Sequence, residues 1–341
     1  MSPSNMLVSV TVCVRDGISW IDDCMNALIS QTYRPLEIIA VDDGSKDGGK
    51  EKLESWSGMH EDIPVTVLTQ PPTGLSAGRN LALNESKGEW VAITDIDCRP
   101  DPYWIEELVR VSEGIGGEYV LAVTGRTIFD KGDTPTSRMR SKAIAAKYAS
   151  RPRIASLANG PCSMFNRHSL IEVGGFNPSW YHAEDMEVSL RLIASGGIII
   201  YTPAAVVHHV AESSFHQFLR KRRRDARAHV RIARVYGRQG VRKPDGSLHR
   251  HDFTSDARNI APLLPIATTG LSISMLFLFL IPTYTPTWYV ALTAGIVWVP
   301  LVVSRWRQLL WSTALWVGVI DGIVDAILGR NGHHSLFRRR R

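Results

Sequence analysis

The sequence predicts an α/β protein with a mostly parallel sheet covered by helices on both faces, followed by an α-helical C-terminal region. Two observations predict this. Runs rich in β-branched residues alternate with helical stretches over the first 95 residues, whereas residues 260–328 are mostly apolar. A chain of 341 residues is long enough for one large α/β domain and an additional region.

Strands and helices alternate at short intervals in the N-terminal part. Residues 7–14 ("LVSVTVCV") are β-branched and almost uninterrupted, as expected of a buried parallel strand. Further strands are predicted over residues 36–43, 65–70 and 88–94, and helices over residues 18–32, after residue 44, and over 77–86. This alternation is typical of βαβ units, which build a parallel sheet.

Charge and cysteine usage exclude several classes of protein. The net charge of +6 is concentrated in residues 220–238 and in the terminal arginines 338–341. The four cysteines are far apart and form no CxxC pair, which disfavours a zinc knuckle or a disulfide framework. The N-terminus has no basic segment before its apolar run, so we expect no signal peptide and a cytosolic, reduced domain.

Acidic residues follow the predicted strands where each strand ends. The clusters are Arg15-Asp16 after the first strand, Asp42-Asp43 after the second, and Asp95-Ile96-Asp97 after the fourth. Open α/β sheets bind ligands beyond the carboxyl ends of their strands. The sequence contains neither GxGxxG after the first strand nor a GxxxxGK[ST] loop. A divalent cation held by carboxylates is another way to bind a diphosphate, and it would offset the repulsion between Asp95 and Asp97.

Each motif also has a purely structural interpretation. Asp42 and Asp43 suit a turn, and Arg79 suits a solvated helix face as well as an anion site. Glu184 and Asp185 begin a predicted helix, where the helix dipole alone favours acids. These alternatives stay open at the level of sequence.

Five segments of the chain resemble a known family when taken in order. They are "VSVTVCVRD", "LEIIAVDDGSKDGG", "GLSAGRNLALNESKGEWVAITDID", "NGPCSMFNRHSLIEVGGFN" and "HAEDMEVSLRLIASGG". Together they resemble the family 2 glycosyltransferases, which are inverting enzymes with the GT-A fold. The resemblance covers about residues 7–234.

The resemblance implies a role for each matching residue. The donor, a nucleotide sugar and more readily a UDP-sugar than a GDP-sugar, would contact Val14, Arg15, Asp42, Asp43, Arg79, Asp95 and Ile96. Asp97 and His208 would hold Mn²⁺ or Mg²⁺, with the adjacent His209 as the alternative imidazole. Asp185 would be the catalytic base, with Glu184 beside it. The motif departs from the family at Cys98, where a polar residue is usual, and we interpret Cys98 as a packing residue.

The C-terminal third predicts attachment to a membrane. A basic amphipathic helix over residues 220–234 suits an anionic lipid surface. No aromatic-rich platform accompanies it, which disfavours nucleic-acid binding. Residues 260–281 and 287–304 are long and apolar enough for a transmembrane hairpin. Residues 308–328 contain Asp321 and Asp325, which are costly inside a bilayer, so we expect an interfacial helix rather than a third span.

These observations combine into one expected organisation. Residues 1–235 form the catalytic domain, 236–258 a linker, 259–330 the hairpin with the interfacial helix, and 331–341 a basic tail. The expected activity is metal-dependent, inverting transfer of a sugar to a lipid-linked or glycan acceptor by an integral membrane enzyme whose catalytic domain faces the cytoplasm. The alternatives are a sugar-phosphate nucleotidyltransferase and a non-catalytic, nucleotide-sugar-binding membrane scaffold.

Overall fold

The computed structural model describes residues 6–180, 182–251, 258–280 and 287–330. They divide into two compact units. The first contains the residues up to 214 together with 235–252, and the second contains residues 215–234 together with the C-terminal helices.

The first unit is an α/β domain. Its strands are β1 Val8–Val14, β2 Leu36–Asp42, β3 Gly58–His60, β4 Ile63–Thr69, β5 Trp90–Asp95, β6 Cys98–Pro100, β7 Val120–Phe129, β8 Ile154–Ala155, β9 Ser163–Asn166, β10 Ile198–His209, β11 Gly240–Arg242 and β12 Leu248–Arg250. Its helices are α1 Ile18–Ile29, α2 Gly49–Glu54, α3 Leu75–Glu85, α4 Trp104–Ser112, α5 Pro135–Ala149, α6 Arg167–Glu172 and α7 Glu184–Ala194.

Ten of these strands form one mixed sheet in the order β3-β4-β2-β1-β5-β9-β7-β10-β6, with β8 paired to β10. The four predicted strands are β1, β2, β4 and β5, and they pair in parallel as expected. Beyond β5 the sheet becomes mixed, because β9 runs antiparallel to both β5 and β7. Strands as short as β3, β6 and β8 are too brief to show an alternating pattern in the sequence.

The register of the central strands positions the candidate site. Val14 of β1 pairs with Asp42 of β2, and Cys13 pairs with Asp95 of β5. All of β2 and nearly all of β1 are buried, with α1 burying Ile21, Cys24, Met25 and Leu28 at helical spacing. The three strands therefore end at one level, and their acidic residues meet at one edge of the sheet.

The second unit is helical. It contains most of α8 Phe215–Tyr236 together with α9 Leu263–Leu280 and α10 Thr287–Ile327, which is kinked at Arg305. Two glycines of α10 allow a close approach to α8, since a Cβ at Gly318 would lie 2.1 Å from the Arg223 carbonyl oxygen, and one at Gly322 would lie 2.6 Å from the Val230 Cβ.

Two ion pairs join these helices at successive turns. Arg223 Nε lies 2.6 Å from Asp321 Oδ2, and Arg227 Nε lies 2.5 Å from Asp325 Oδ2. The two acids that make residues 308–328 costly inside a bilayer are thus neutralised by the basic helix. Within the described residues, Val303–Ile327 is the one helix long and apolar enough to cross a membrane by length and composition, which alone is weak evidence of a span.

Several predictions on the C-terminal third remain predictions. The turn of the expected transmembrane hairpin and the basic tail lie outside the described residues. The expected linker over residues 236–258 contains the β11–β12 hairpin, which belongs to the first unit.

The buried ion pair of the second unit gives a testable difference between two similar acids. Asp325→Ala leaves the Arg227 charge buried without its partner, which we expect to lower the free energy of unfolding by about 3–5 kcal/mol. Asp321→Ala is the matched control, because its partner side chain Arg223 is 49% exposed, and we expect a loss of about 0–1 kcal/mol. Unfolding of the purified protein in detergent measures both losses in free energy. Equal losses in the two variants would contradict the buried position of the Arg227–Asp325 pair.

Candidate active site

The two aspartates at the end of β2, Asp42 and Asp43, accept hydrogen bonds from the neighbouring loops. The Asp42 carboxylate accepts hydrogen bonds from the backbone N–H of Gly44 and Ser45, at 3.1 and 3.2 Å, so it does form a turn. The buried Asp43 carboxylate accepts from the Gln70 side chain at 2.6 Å and from the Thr73 N–H at 2.8 Å. Asp43 therefore fixes the loop that leads into α3.

The other residues predicted to contact the donor lie at the same edge. Val14 is buried, and its carbonyl oxygen accepts from the Asp43 N–H at 2.8 Å. The half-exposed Arg15 has its Nη1 at 3.7 Å from Asp43 Oδ2. Ile96 lies against Gly17, at the start of α1. The edge thus combines buried carboxylates with an accessible guanidinium.

Arg79 links the strand edge to the start of α7. Its guanidinium is 2% exposed and donates to Glu184 Oε1 at 2.8 Å and to Asp95 Oδ1 at 3.1 Å. Burial alone would lower the pKa of Arg79, but the adjacent Glu184 and Asp95 carboxylates raise it, so the side chain stays charged. Burial raises the pKa of Glu184, and Arg79 opposes that shift. The solvated-helix interpretation of Arg79 is therefore wrong.

Asp185 lies next to this cluster. Its Oδ2 accepts a hydrogen bond from the Gly160 N–H at 3.1 Å, and its Oδ1 accepts from the Met186 N–H at 2.8 Å. A Cβ placed on Gly160 would lie 3.2 Å from Arg79 Nη2, 3.8 Å from Asp185 Oδ2 and 3.9 Å from Asp95 Oδ2. Gly160 thus marks the point where α7 meets the strand edge, although nothing in the sequence singled it out.

Asn80 is not among the site residues that the sequence predicts, since an Asn at such a position more often caps or packs. Its side-chain amide donates to the Phe176 carbonyl oxygen at 2.7 Å, and its side-chain oxygen accepts from the Phe176 N–H at 2.8 Å. These two bonds attach α3 to the segment that precedes α7. Asn80 therefore fastens α3 to the backbone at Phe176.

A second group of donor atoms surrounds Asp97. Its Oδ2 lies 3.4 Å from His209 Nε2, and one ligand atom from each of Asp97, Cys98 and His209 lies within 4.8 Å of the other two. His209 Nδ1 is 2.9 Å from the Val210 carbonyl oxygen, and the ring stacks on Phe129. Donation from Nδ1 to that carbonyl leaves the lone pair of Nε2 facing Asp97, which fits a metal ligand.

The imidazole that the structure brings to Asp97 is that of His209. The predicted ligand, His208, precedes it on β10 and is not in this group. Successive side chains of a strand point to opposite faces, so only one of the two histidines faces Asp97. The sequence contained both candidates but no signal that separated them.

Residues 9–174 match the protein-family model described as glycosyl transferase family 2. These residues therefore form a glycosyl transferase family 2 domain. The protein is an enzyme of the glycosyltransferase type, as the resemblance indicated.

Individual relatives agree with this assignment. Glycosyltransferase AglE of Haloferax volcanii is 26% identical over 241 residues, which cover 68% of this chain and 76% of that protein. The putative glycosyltransferase EpsH of Bacillus subtilis is 28% identical over 214 residues, which cover 59% of this chain and 60% of that protein.

A solved structure shares the fold. The mannosyltransferase PcManGT from Pyrobaculum calidifontis, determined in complex with GDP-Man and Mn²⁺, matches with a TM-score of 0.64 at 20% identity. The match covers 93% of this chain and 87% of that chain. It confirms the predicted fold class, a GT-A glycosyltransferase fold.

The buried position of Arg79 predicts a large effect on stability. Arg79→Met leaves the buried Glu184 carboxylate without its counter-charge, and we expect the free energy of unfolding to fall by about 3–5 kcal/mol. Adding Glu184→Gln should recover part of this loss, because the unpaired charge is then removed. Arg15→Met is the control, because Arg15 is half-exposed and Asp43 keeps its hydrogen bonds from Gln70, Thr73 and Gly74. We expect a change of about 0–1 kcal/mol. Equal losses in the Arg79 and Arg15 variants, measured by chemical unfolding, would rule out the central role of Arg79.

Proposed function

We propose that the protein transfers a sugar from a nucleotide-sugar donor to an acceptor hydroxyl, in a metal-dependent reaction that inverts the anomeric centre. One observation carries the proposal: Arg79 brings Asp95 at the strand edge together with Glu184 at the start of α7. A donor-binding edge and a candidate base beside it are what a single displacement between two substrates requires. The family 2 domain favours this reaction over a nucleotidyltransferase or a scaffold.

The proposed donor site lies across the ends of β1, β2 and β5. The nucleoside would lie along Val14 and Arg15 and over Asp42 and Asp43. The resemblance favours uridine as the base. Guanosine is the first alternative to test, because PcManGT was determined with GDP-Man.

Asp97 and His209 are the residues that would hold a divalent cation. A carboxylate oxygen and a neutral imidazole nitrogen suit Mn²⁺, and Mg²⁺ would depend more on the carboxylate. When bound, the cation would offset the charge that develops on the nucleoside diphosphate as it leaves. The crystallised complex of PcManGT with Mn²⁺ supports the choice of metal.

Asp185 is the proposed general base. Glu184 is engaged by Arg79, whereas the half-buried Asp185 carboxylate accepts hydrogen bonds from two backbone N–H groups. Asp185 would take the proton of the acceptor hydroxyl as the oxygen attacks the anomeric carbon from the side opposite the diphosphate. One displacement of this kind inverts the configuration. Glu184 then positions α7 through Arg79.

We also propose that the acceptor is lipid-linked or another glycan, and that the enzyme acts at the cytoplasmic face of a membrane. The apolar helix Val303–Ile327 and the paired basic helix support this. A basic helix beside an apolar one suits anionic lipid headgroups.

Adjacent histidines allow a matched test of the metal site. We expect His209→Ala and Asp97→Asn each to weaken Mn²⁺-dependent donor binding and to reduce turnover strongly, because each removes a ligand. His208→Ala should retain both properties. Mn²⁺ titration by calorimetry with the donor nucleotide measures the effect. Equal behaviour of the two histidine variants, or full turnover in EDTA, would refute the metal assignment.

The base assignment predicts a different pattern. Asp185→Asn keeps the size of the side chain but is a far weaker proton acceptor, so we expect kcat to fall by about 10²–10⁴ while donor affinity stays nearly unchanged. Asp23→Asn, which changes an exposed acid of α1, is the charge control. If Asp185→Asn kept more than about a tenth of the wild-type kcat, the base would have to be another group, with Glu184 the next candidate.

A further inference from the structure

We propose that Cys98 is a third protein ligand of the proposed metal site, and that its thiolate gives the site an affinity for thiophilic cations such as Zn²⁺, Co²⁺ and Cd²⁺. The inference rests on the proposed metal site at Asp97 and His209 and extends it. It adds a ligand role to our sequence-based interpretation of Cys98 as a packing residue, which agrees with its place in the buried core.

The distances fit a small tetrahedral cation. Cys98 Sγ lies 3.8 Å from Asp97 Oδ1, and Asp97 Oδ2 lies 3.4 Å from His209 Nε2. One ligand atom from each of the three residues lies within 4.8 Å of the other two. In a tetrahedral zinc site with bonds of 2.0–2.3 Å, neighbouring ligand atoms are about 3.3–3.8 Å apart. Side-chain adjustments of less than about 1 Å would bring all three atoms to such an ion.

The backbone holds the three residues together. Cys98 and His209 are directly paired across the antiparallel β6–β10 ladder, and such partners have Cβ atoms about 4.5–5.5 Å apart. The Val210 N–H donates to the Asp97 carbonyl oxygen at 3.0 Å and extends the same ladder by one step. The ligands are therefore adjacent through strand pairing before a cation binds.

Cys98 lies in the same buried hydrophobic core as Cys24 and Cys162, but its thiol has one further contact. Cys24 Sγ lies 3.8 Å from the Asp95 carbonyl oxygen, and Cys162 Sγ lies 3.7 Å from that of Ala205, which are ordinary packing contacts. Cys98 Sγ instead lies beside the Asp97 carboxylate.

Binding requires the thiol to lose its proton. A bound cation would displace this proton to solvent and accept the sulfur electron pair. A thiolate beside an imidazole favours zinc-like cations, whereas Mg²⁺ gains little from sulfur.

Cobalt substitution tests the inference without measuring transfer. We expect the full-length protein titrated with Co²⁺ to develop a near-ultraviolet sulfur-to-cobalt charge-transfer band. Cys98→Ser should lose this band and bind Zn²⁺ at least about tenfold more weakly, by analogy with the loss caused by disturbing an outer-shell partner of a metal. Its Mg²⁺ affinity should be unchanged. Cys162→Ser, which changes an equally buried cysteine, should keep the band.

The outcomes separate this inference from the proposed function. Co²⁺ binding that depends on Asp97 and His209 but gives no sulfur band in the wild type would overturn the role of Cys98 and leave the metal-dependent transferase intact. A band that persists in Cys98→Ser and disappears in Cys24→Ser would also overturn it. The absence of any Co²⁺ binding would remove both the inference and the metal site. The wild-type spectrum decides the first case even if Cys98→Ser fails to fold.

Discussion

The site depends on one buried guanidinium placed between two carboxylates. Arg79 comes from α3, Asp95 from the end of β5 and Glu184 from the start of α7, so a single side chain joins three elements that are distant in sequence. A buried cation of this kind is tolerated only when its counter-charges are present. The geometry of the strand edge and the position of Asp185 therefore depend on the same contact.

The register of the central strands is the second constraint. Because β1, β2 and β5 are parallel and end at one level, their acidic residues converge without any Gly-rich phosphate loop. The ladder between β6 and β10 then brings His209 to Asp97. Two different kinds of strand pairing thus supply the proposed donor edge and the proposed metal ligands.

Sequence patterns predicted the parallel half of the sheet because β1, β2, β4 and β5 are long enough to show buried, β-branched runs. They did not predict β9, a strand of four residues that runs antiparallel to β5. The residues after the strands were found because strand ends are recognisable in sequence. The sequence could not decide between His208 and His209, because the decision depends on which face of β10 each side chain occupies. The contacts of Gly160 and Asn80 are tertiary, and no local pattern encodes them.

A single displacement from a nucleotide sugar fixes the stereochemistry of the product, which can be measured. The full-length enzyme would be incubated with Mn²⁺, membrane lipid extract and the UDP- or GDP-sugar that most raises its melting temperature. The anomeric configuration of the first-formed product would then be read by NMR. A single displacement releases a nucleoside diphosphate and gives a glycoside of configuration opposite to that of the donor. A product that retains the donor configuration, or formation of a new nucleotide sugar, would contradict it.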